Sequence, residues 1–320
     1  MARRIRIPWL LDVVLVDDPR EMAELNRAPE ISRVISGAGG LLHRVIHRRI
    51  YDTLRVDAEP LPVFANRASD VRANRQATLE KSLATLDVRG IAFAADVQRL
   101  AEYVGTGTAS IPHGESVQQI VGRLFRPDFR ATSATYAAAR VVSEWPRANP
   151  VKALWWRCSG KLARSRELLW NEGGADPACI HAITIAFHNI VTSVERMREA
   201  ARDKAAATRP AHEVVRACLV APPTLLRSAI APVRVGSLKR PLRKGTLVVF
   251  KLDAMHTRTH DSALAFAEGE WNECPGHAVV PRFLETIWMT AMTQQRWCAD
   301  GRKTRLSDCG HSSHAVSTRF

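Results

Sequence analysis

The sequence predicts a mainly α-helical fold with a small β region, on three observations. Apolar residues at helical spacing dominate most of the chain. β-Branched runs are few and short, at residues 13–16, 233–235 and 246–250. Asp176 and Pro177, a good N-cap and a residue suited to the first helical position, open a helical stretch that reaches about Ala207. That stretch exceeds the usual globular helix, so it is expected to cross the whole domain.

Each element follows from local chemistry. Residues 13–16 read as a strand ending in Asp17-Asp18-Pro19, with a helix starting near Pro19. Residues 20–56 look mostly helical, interrupted at 37–40. A polar, Arg-rich helix covers 67–85 and another covers 91–104. Residues 105–114 read as loop, and 117–125 and 133–143 as helices. Pro146 and Pro150 punctuate the chain before a helix at 151–170, and residues 172–177 (Glu-Gly-Gly-Ala-Asp-Pro) are a breaker. After the long stretch, Thr208-Arg209-Pro210 stops the helix, and a shorter helix at 211–220 ends at Pro222-Pro223. Residues 224–250 are strand-like around Lys244-Gly245, residues 282–297 are helical, and 298–320 form a polar tail. No internal boundary is visible, so residues 1–297 are expected to form one domain.

Composition narrows the partners. The chain has 320 residues, 46% of them hydrophobic, enough for a sizeable core. A formal charge of +14 favours acidic partners: nucleic acid, anionic lipid or an acidic electron-transfer protein. The basic residues are dispersed, densest at 2–6, 43–49 and 239–244, with neither zinc-finger spacing nor an RNA-binding aromatic signature. Nucleic acid is therefore not the expected partner. The N-terminal apolar run is broken by Asp12, so neither a signal peptide nor a membrane span is expected. Six scattered cysteines suit reduced thiols in a cytoplasmic location.

Three late elements carry chemistry. Glu213 and Arg216 stand at i and i+3 on one helix, where they can pair. Arg227 opens a strand and could reach an anionic group. Cys274 sits in Phe266…Cys274-Pro275-Gly276, just before the last helix. Backbone N–H groups at a helix start stabilise a thiolate, and a thiolate is a natural axial ligand for iron. Alone, each element has a bland reading: a solvated pair, an exposed arginine, a structural turn.

In order and spacing, these elements resemble the haem-thiolate core of the cytochrome P450 family. The match covers roughly residues 177–297, with residues 1–176 as a loosely matched substrate-side half. The resemblance implies an abbreviated P450-like fold holding haem b. Cys274 would be the proximal iron ligand, in a loop shaped by Phe266 and Gly276. Glu213 and Arg216 would form a buried pair, and Arg227 would bind a propionate, with Arg75 on an early helix as a second partner. The implied function is oxidation of an apolar small molecule, with a possible acidic ferredoxin-type partner.

The departures are informative. The segment that normally precedes the Cys loop is reduced to residues 262–265, so the third member of the Glu-Arg-Arg network is missing unless Arg258 substitutes. Monooxygenases of the family carry a small residue and an acid–alcohol pair at mid-helix over the iron. Here Ala186 fits the small position, and Asn189 and Ile190 replace the pair, with His188 beside them. Asn cannot relay a proton near neutral pH, but it can hydrogen-bond a hydroperoxide. Hydroperoxide-rearranging members also use an Asn there, so the expected substrate is a peroxide or a lipid hydroperoxide, oriented by Asn189 or His188. In a second register, Asp176 would be the acid and Pro177 would replace the alcohol, which favours an ordinary NAD(P)H- and ferredoxin-dependent monooxygenase. A non-catalytic haem-binding or scaffold protein, or a basic nucleic-acid-binding protein, remains as an alternative.

Overall fold

The computed structural model describes residues 2–32, 40–56, 59–60, 70–107, 112–236, 238, 241–259, 261–267 and 273–299. Basic and apolar residues alternate in β1 (Arg3–Ile7), which turns back into β2 (Leu11–Val16). Asp18 then caps α1 (Pro19–Arg27), accepting from the amides of Arg20 and Glu21, as expected from Asp-Pro. β3 (Ile31–Ser32), α2 (Leu41–Leu54), the short pair β4 (Arg55–Val56) and β5 (Glu59–Pro60), and α3 (Asp70–Ala84) follow. Strands β6 (Leu225–Ala229) and β7 (Leu247–Phe250), the latter from the β-branched run at 246–250, complete a sheet of order β1-β2-β7-β6-β3, whereas the run at 233–235 makes only a bridge from Val233 to Leu242. β2 and β7 pair in parallel, with Val13 opposite Leu247.

Period-2 alternation gives this sheet two unlike faces. Val14, Val16, Val248 and Phe250 pack with Met22 and Leu25 of α1. Val13 and Leu247 face the other way, against Ile50 of α2 and Ile185 further along the chain.

The larger core is helical. α4 (Ile91–Thr106), α5 (His113–Arg123), α10 (Phe187–Ala200) and α15 (Val280–Ala299) pack as a four-helix unit. Phe93 meets Phe283 edge-to-face at 5.0 Å, joining α4 to α15. Asp96, buried on α4, takes Arg123 of α5 at 3.0 Å and Arg99 at 3.4 Å. Burial is the main influence on Asp96 and raises its pKa in spite of both arginines. Between these helices lies an apolar cavity of about 20 Å³, lined by residues such as Leu100, Ile120, Ile190 and Phe283.

Two sequence expectations change. The helix expected at 151–170 is two helices, α7 (Pro150–Cys158) and α8 (Lys161–Glu172), divided at Gly160 with φ of 68°. The long stretch is α9 (Pro177–His181), a π-helical turn (Ala182–Ala186) and α10, and it breaks at residues 201–203 before α11 (Lys204–Ala207). Asp203 caps the short α11, which ends the continuous helix earlier than charge patterning suggests. α12 (Ala211–Cys218), α13 (Leu252–Thr259) and α14 (Ala263–Phe266) complete the set. Of the expected interruptions and tail, residues 37–39 and 300–320 lie outside the described residues.

α6 (Ser133–Glu144) begins in a capping box in which Thr132 and Thr135 each accept from the other's backbone amide. Thr132→Ala is expected to lower stability by about 1 kcal/mol. A lower urea midpoint at unchanged m-value would show it.

Candidate functional site

Cys274 lies in the link between α14 and α15, held from three sides. Its amide donates to the Phe266 carbonyl at 2.8 Å, anchoring it to the end of α14. Its carbonyl accepts from the His277 amide at 3.0 Å, starting the 3-10 turn Pro275–Ala278 that leads into α15. Gln76 of α3 donates to the Glu273 carbonyl at 3.1 Å. The thiol is half-buried against the helical core. A Cβ on Gly276 would lie 3.4 Å from Cys274 Sγ, 3.5 Å from Val280 and 3.9 Å from Phe266. Glycine at 276 therefore leaves open a flank of the sulfur that any larger residue would fill.

This donor set has a definite chemistry. Among the described residues, no three His, Cys, Asp or Glu side chains are grouped to hold a metal ion. A metal at Cys274 would take one thiolate from the protein and its other ligands from elsewhere, as a porphyrin supplies them. The thiolate end thus fits an axially ligated haem. The bundle cavity is not a porphyrin site: Cys274 does not line it, and its volume is that of about one water.

Arg227 is buried on β6, 1% exposed, and donates to the Leu226 carbonyl at 2.8 Å. Alternation puts Leu226 on the face shared with Ile185 and Arg227 on the opposite face, across from Val248. Arg75 sits on α3 next to Gln76, and its side chain lies outside the described ones.

The expected buried Glu213–Arg216 pair does not form. Both side chains are exposed, and Glu213 Oε2 pairs with Arg209 Nε at 3.5 Å. Arg216 Nε donates to Ser262 Oγ at 3.1 Å. Arg216 instead ties α12 to Ser262 at the start of α14, the helix before the link that carries Cys274. Arg258 does not fill the network either, since it donates to the Asp17 carbonyl and lies 3.9 Å from the Asp17 carboxylate.

The long helix has its own irregularity. Residues 173–176 form a turn, with Gly174 and Ala175 at φ of 66° and 58°, and Asp176 caps α9 by accepting from the amides of Ala178 and Cys179. Asp176 and Pro177 are therefore at a helix start, while Ala186 closes the π turn and His188 and Asn189 follow it at mid-helix. A π turn shifts the backbone register and strands a carbonyl. The Ile183 carbonyl receives a donor from outside, Gln118 Nε2 of α5 at 2.9 Å. Gln118 is fully buried, reaches the Thr135 carbonyl at 3.3 Å, and accepts from Thr135 Oγ1 at 3.1 Å. Gln118 is not among the residues expected from sequence; its signal is an uncharged polar side chain among Val117, Ile120 and Val121 on an apolar helix face.

His188 turns toward α6. Burial is the main cause that lowers its pKa to about 4, and Arg147 and Arg140 push the same way against the Ala139 carbonyl and Glu144. Its ring lies tilted by 34° against Phe187, with centroids 4.1 Å apart, and its burial favours the neutral imidazole. Asn189 and Ala186 are half-buried, and Asn189 shares a helix face with Ile185, the face turned to the sheet. Burial, the main cause, raises the thiols of Cys179 and Cys218 to about 12 and 11, so both are inert core residues.

No family model and no curated protein matches the chain. Its architecture does match solved structures. A 6-coordinated cytochrome P450 from Thermus thermophilus aligns at TM-score 0.54 with 14% identity, over 89% of this chain and 85% of that one. P450BioI, in complex with hexadec-9Z-enoic acid ligated acyl carrier protein, aligns at TM-score 0.57 and 14% identity, over 92% and 87%. P450 RauA, complexed with a biosynthetic intermediate of aurachin RE, aligns at TM-score 0.58 and 11% identity, over 89% and 84%.

Proposed function

We propose that this chain, which carries the cytochrome P450 fold, is a haem-thiolate oxidoreductase acting on an apolar small molecule. The observation that carries this reading is the Cys274 link: a half-buried cysteine whose backbone, with that of Glu273, is pinned by Phe266, His277 and Gln76, with Gly276 leaving one flank of the sulfur open. Bound haem would supply oxidising chemistry with oxygen donors, made stronger by thiolate donation. The chain's own part is to hold and shield the sulfur, through Phe266 and the N-terminus of α15.

Within that class, peroxide or lipid-hydroperoxide use fits the long helix better than a reductase-driven cycle. A carboxylic acid that could relay protons is absent at residues 186–189, and Asp176 is occupied as an N-cap. Asn189 can donate to a peroxide oxygen and orient it, without exchanging its own protons near neutral pH. His188, neutral and turned to α6, is a packing residue in this reading. Turnover of a fatty-acid hydroperoxide or of hydrogen peroxide without reductase is the expected result, and strict dependence on NAD(P)H would reverse the assignment. The fatty-acyl cargo of one structural neighbour and the basic surface are consistent with an acyl substrate and an acidic partner.

A second reading is a P450-fold scaffold without turnover. The exposed Glu213 and Arg216 favour it. One measurement separates the two. The reduced, carbon-monoxide-bound Soret band of haem-loaded protein is expected to show a thiolate-type red shift, lost in Cys274→Ala. A spectrum identical in both proteins would remove Cys274 from the site.

A further inference from the structure

We infer that His277 and Glu273 are positioning residues for the Cys274 sulfur, forming a clamp that Gln76 anchors to α3, a role that rests on the haem-thiolate reading of Cys274. His277 Nδ1 lies 3.0 Å from the Cys274 carbonyl and 3.0 Å from Glu273 Oε1. Both partners are acceptors, so Nδ1 carries a proton and donates it to the two together. The Cys274 carbonyl thus accepts twice from one residue, from the His277 amide and from its ring. The amide of Cys274 is meanwhile held by the Phe266 carbonyl. With both its amide and its carbonyl fixed, the Cα–Cβ direction of Cys274 is fixed, and the sulfur is left only the rotation about that bond.

The other end of the clamp is on α3, which packs against the Pro275–Ala278 turn. Gln76 Nε2 donates to the Glu273 carbonyl at 3.1 Å and to Glu80 Oε1, one helical turn further on, at 2.9 Å. Glu80 orients the Gln76 amide, and that amide holds the peptide that joins Glu273 to Cys274. A His–Glu pair on a surface contributes little by itself. This one is different in two respects. The side chains are only 31% and 24% exposed, and the pair brackets the cysteine, with its imidazole proton shared by the cysteine carbonyl.

The pair also answers an electrostatic problem. A thiolate at 274 sets a second negative charge one residue from the Glu273 carboxylate, and like charges at that separation oppose each other. The His277 N–H, donated to the carboxylate, offsets part of that charge. His277 therefore acts on the sulfur in two separable ways, through the geometry of the turn and through the charge beside it.

The test uses the full-length protein, loaded with haem for spectra and as the bare chain for hydrogen exchange. His277→Ala is expected to lower the fraction of reduced, carbon-monoxide-bound protein with a thiolate-type Soret band by about twofold or more. Exchange over residues 274–279 should quicken about fivefold, the loss of one hydrogen bond. His277→Asn places an N–H where Nδ1 stands and should restore most of both. Glu273→Gln added to His277→Ala should raise the thiolate-type fraction again without slowing exchange, because it removes the charge and not the looseness of the turn. The substituted side chains are outside the core, so the urea midpoint is expected to hold. A thiolate-type fraction equal in His277→Ala and wild type overturns the clamp. So does faster exchange with an unchanged spectrum, or a double variant no better than His277→Ala. A wild type with no thiolate-type band at all sinks the haem reading and the ligand role with it, whatever the exchange rates.

Discussion

Gln118→Leu is expected to destabilise the folded chain by about 2–4 kcal/mol, because it leaves buried polar groups unpaired. The side chain is fully buried and serves three partners at once: the Ile183 carbonyl at 2.9 Å, the Thr135 carbonyl at 3.3 Å and the Thr135 hydroxyl at 3.1 Å. Leucine matches its volume but supplies no donor, so the π-turn carbonyl loses its partner outright. The π turn is also what sets the rotation of Ala186, His188 and Asn189 relative to α9. The same variant should therefore alter hydrogen exchange selectively over residues 182–190, beyond the global loss measured by urea unfolding. Equal stability in wild type and variant would mean that the π turn does not need Gln118. Gln118→Glu separates charge from geometry: it keeps an acceptor for Thr135 and removes both donations, so it should be at least as damaging.

Stability is also expected to fall by up to about 3 kcal/mol as pH drops from about 6.5 to about 4, through His188 alone. The folded-state pKa of about 4 is below the ordinary value of 6.5, so the folded protein binds this proton less readily than the unfolded chain. The contribution is complete above pH 6.5 and is lost as pH falls toward the folded-state value. Burial dominates this shift, and Arg147 and Arg140 add to it. His43 acts in the same direction, since burial lowers its pKa against the nearby Asp12. His188→Gln keeps a polar group at the site and removes the titration. Unfolding free energies across this pH range should be flatter in the variant, with His43 supplying the remainder. Parallel curves for the two proteins would place His188 in water.

The elements that chemistry alone encodes were legible. Asp18-Pro19 and Asp176-Pro177 start helices because a carboxylate can cap and proline needs no donor there. The β-branched runs at 13–16 and 246–250 became β2 and β7, while the run at 233–235 makes only a bridge from Val233 to Leu242. The order of the late motifs led to the right fold, although no family model detects it. The N-terminal strand β1 was not read, because its alternation is Arg with Ile in a basic segment that also resembles a targeting start. The division of 151–170 at Gly160 was missed, because one glycine in a helical pattern is as often tolerated as it is a stop.

Sequence spacing alone determined which residues could meet: Glu213 and Arg216 at i and i+3, and Cys274 ahead of a helix N-terminus. It determined nothing about what would cover them. Only the tertiary structure decided that the face of α12 stays in water, so that Glu213 turns to Arg209 and Arg216 to Ser262. Only the tertiary structure put Arg227 on the far face of the sheet from Ile185 and brought Gln118 to a carbonyl 65 residues away. The physical reason is that propensity, capping and periodicity act within a few residues. Burial and the pairing of buried polar groups depend instead on which distant surfaces close over a site, and no local pattern records that.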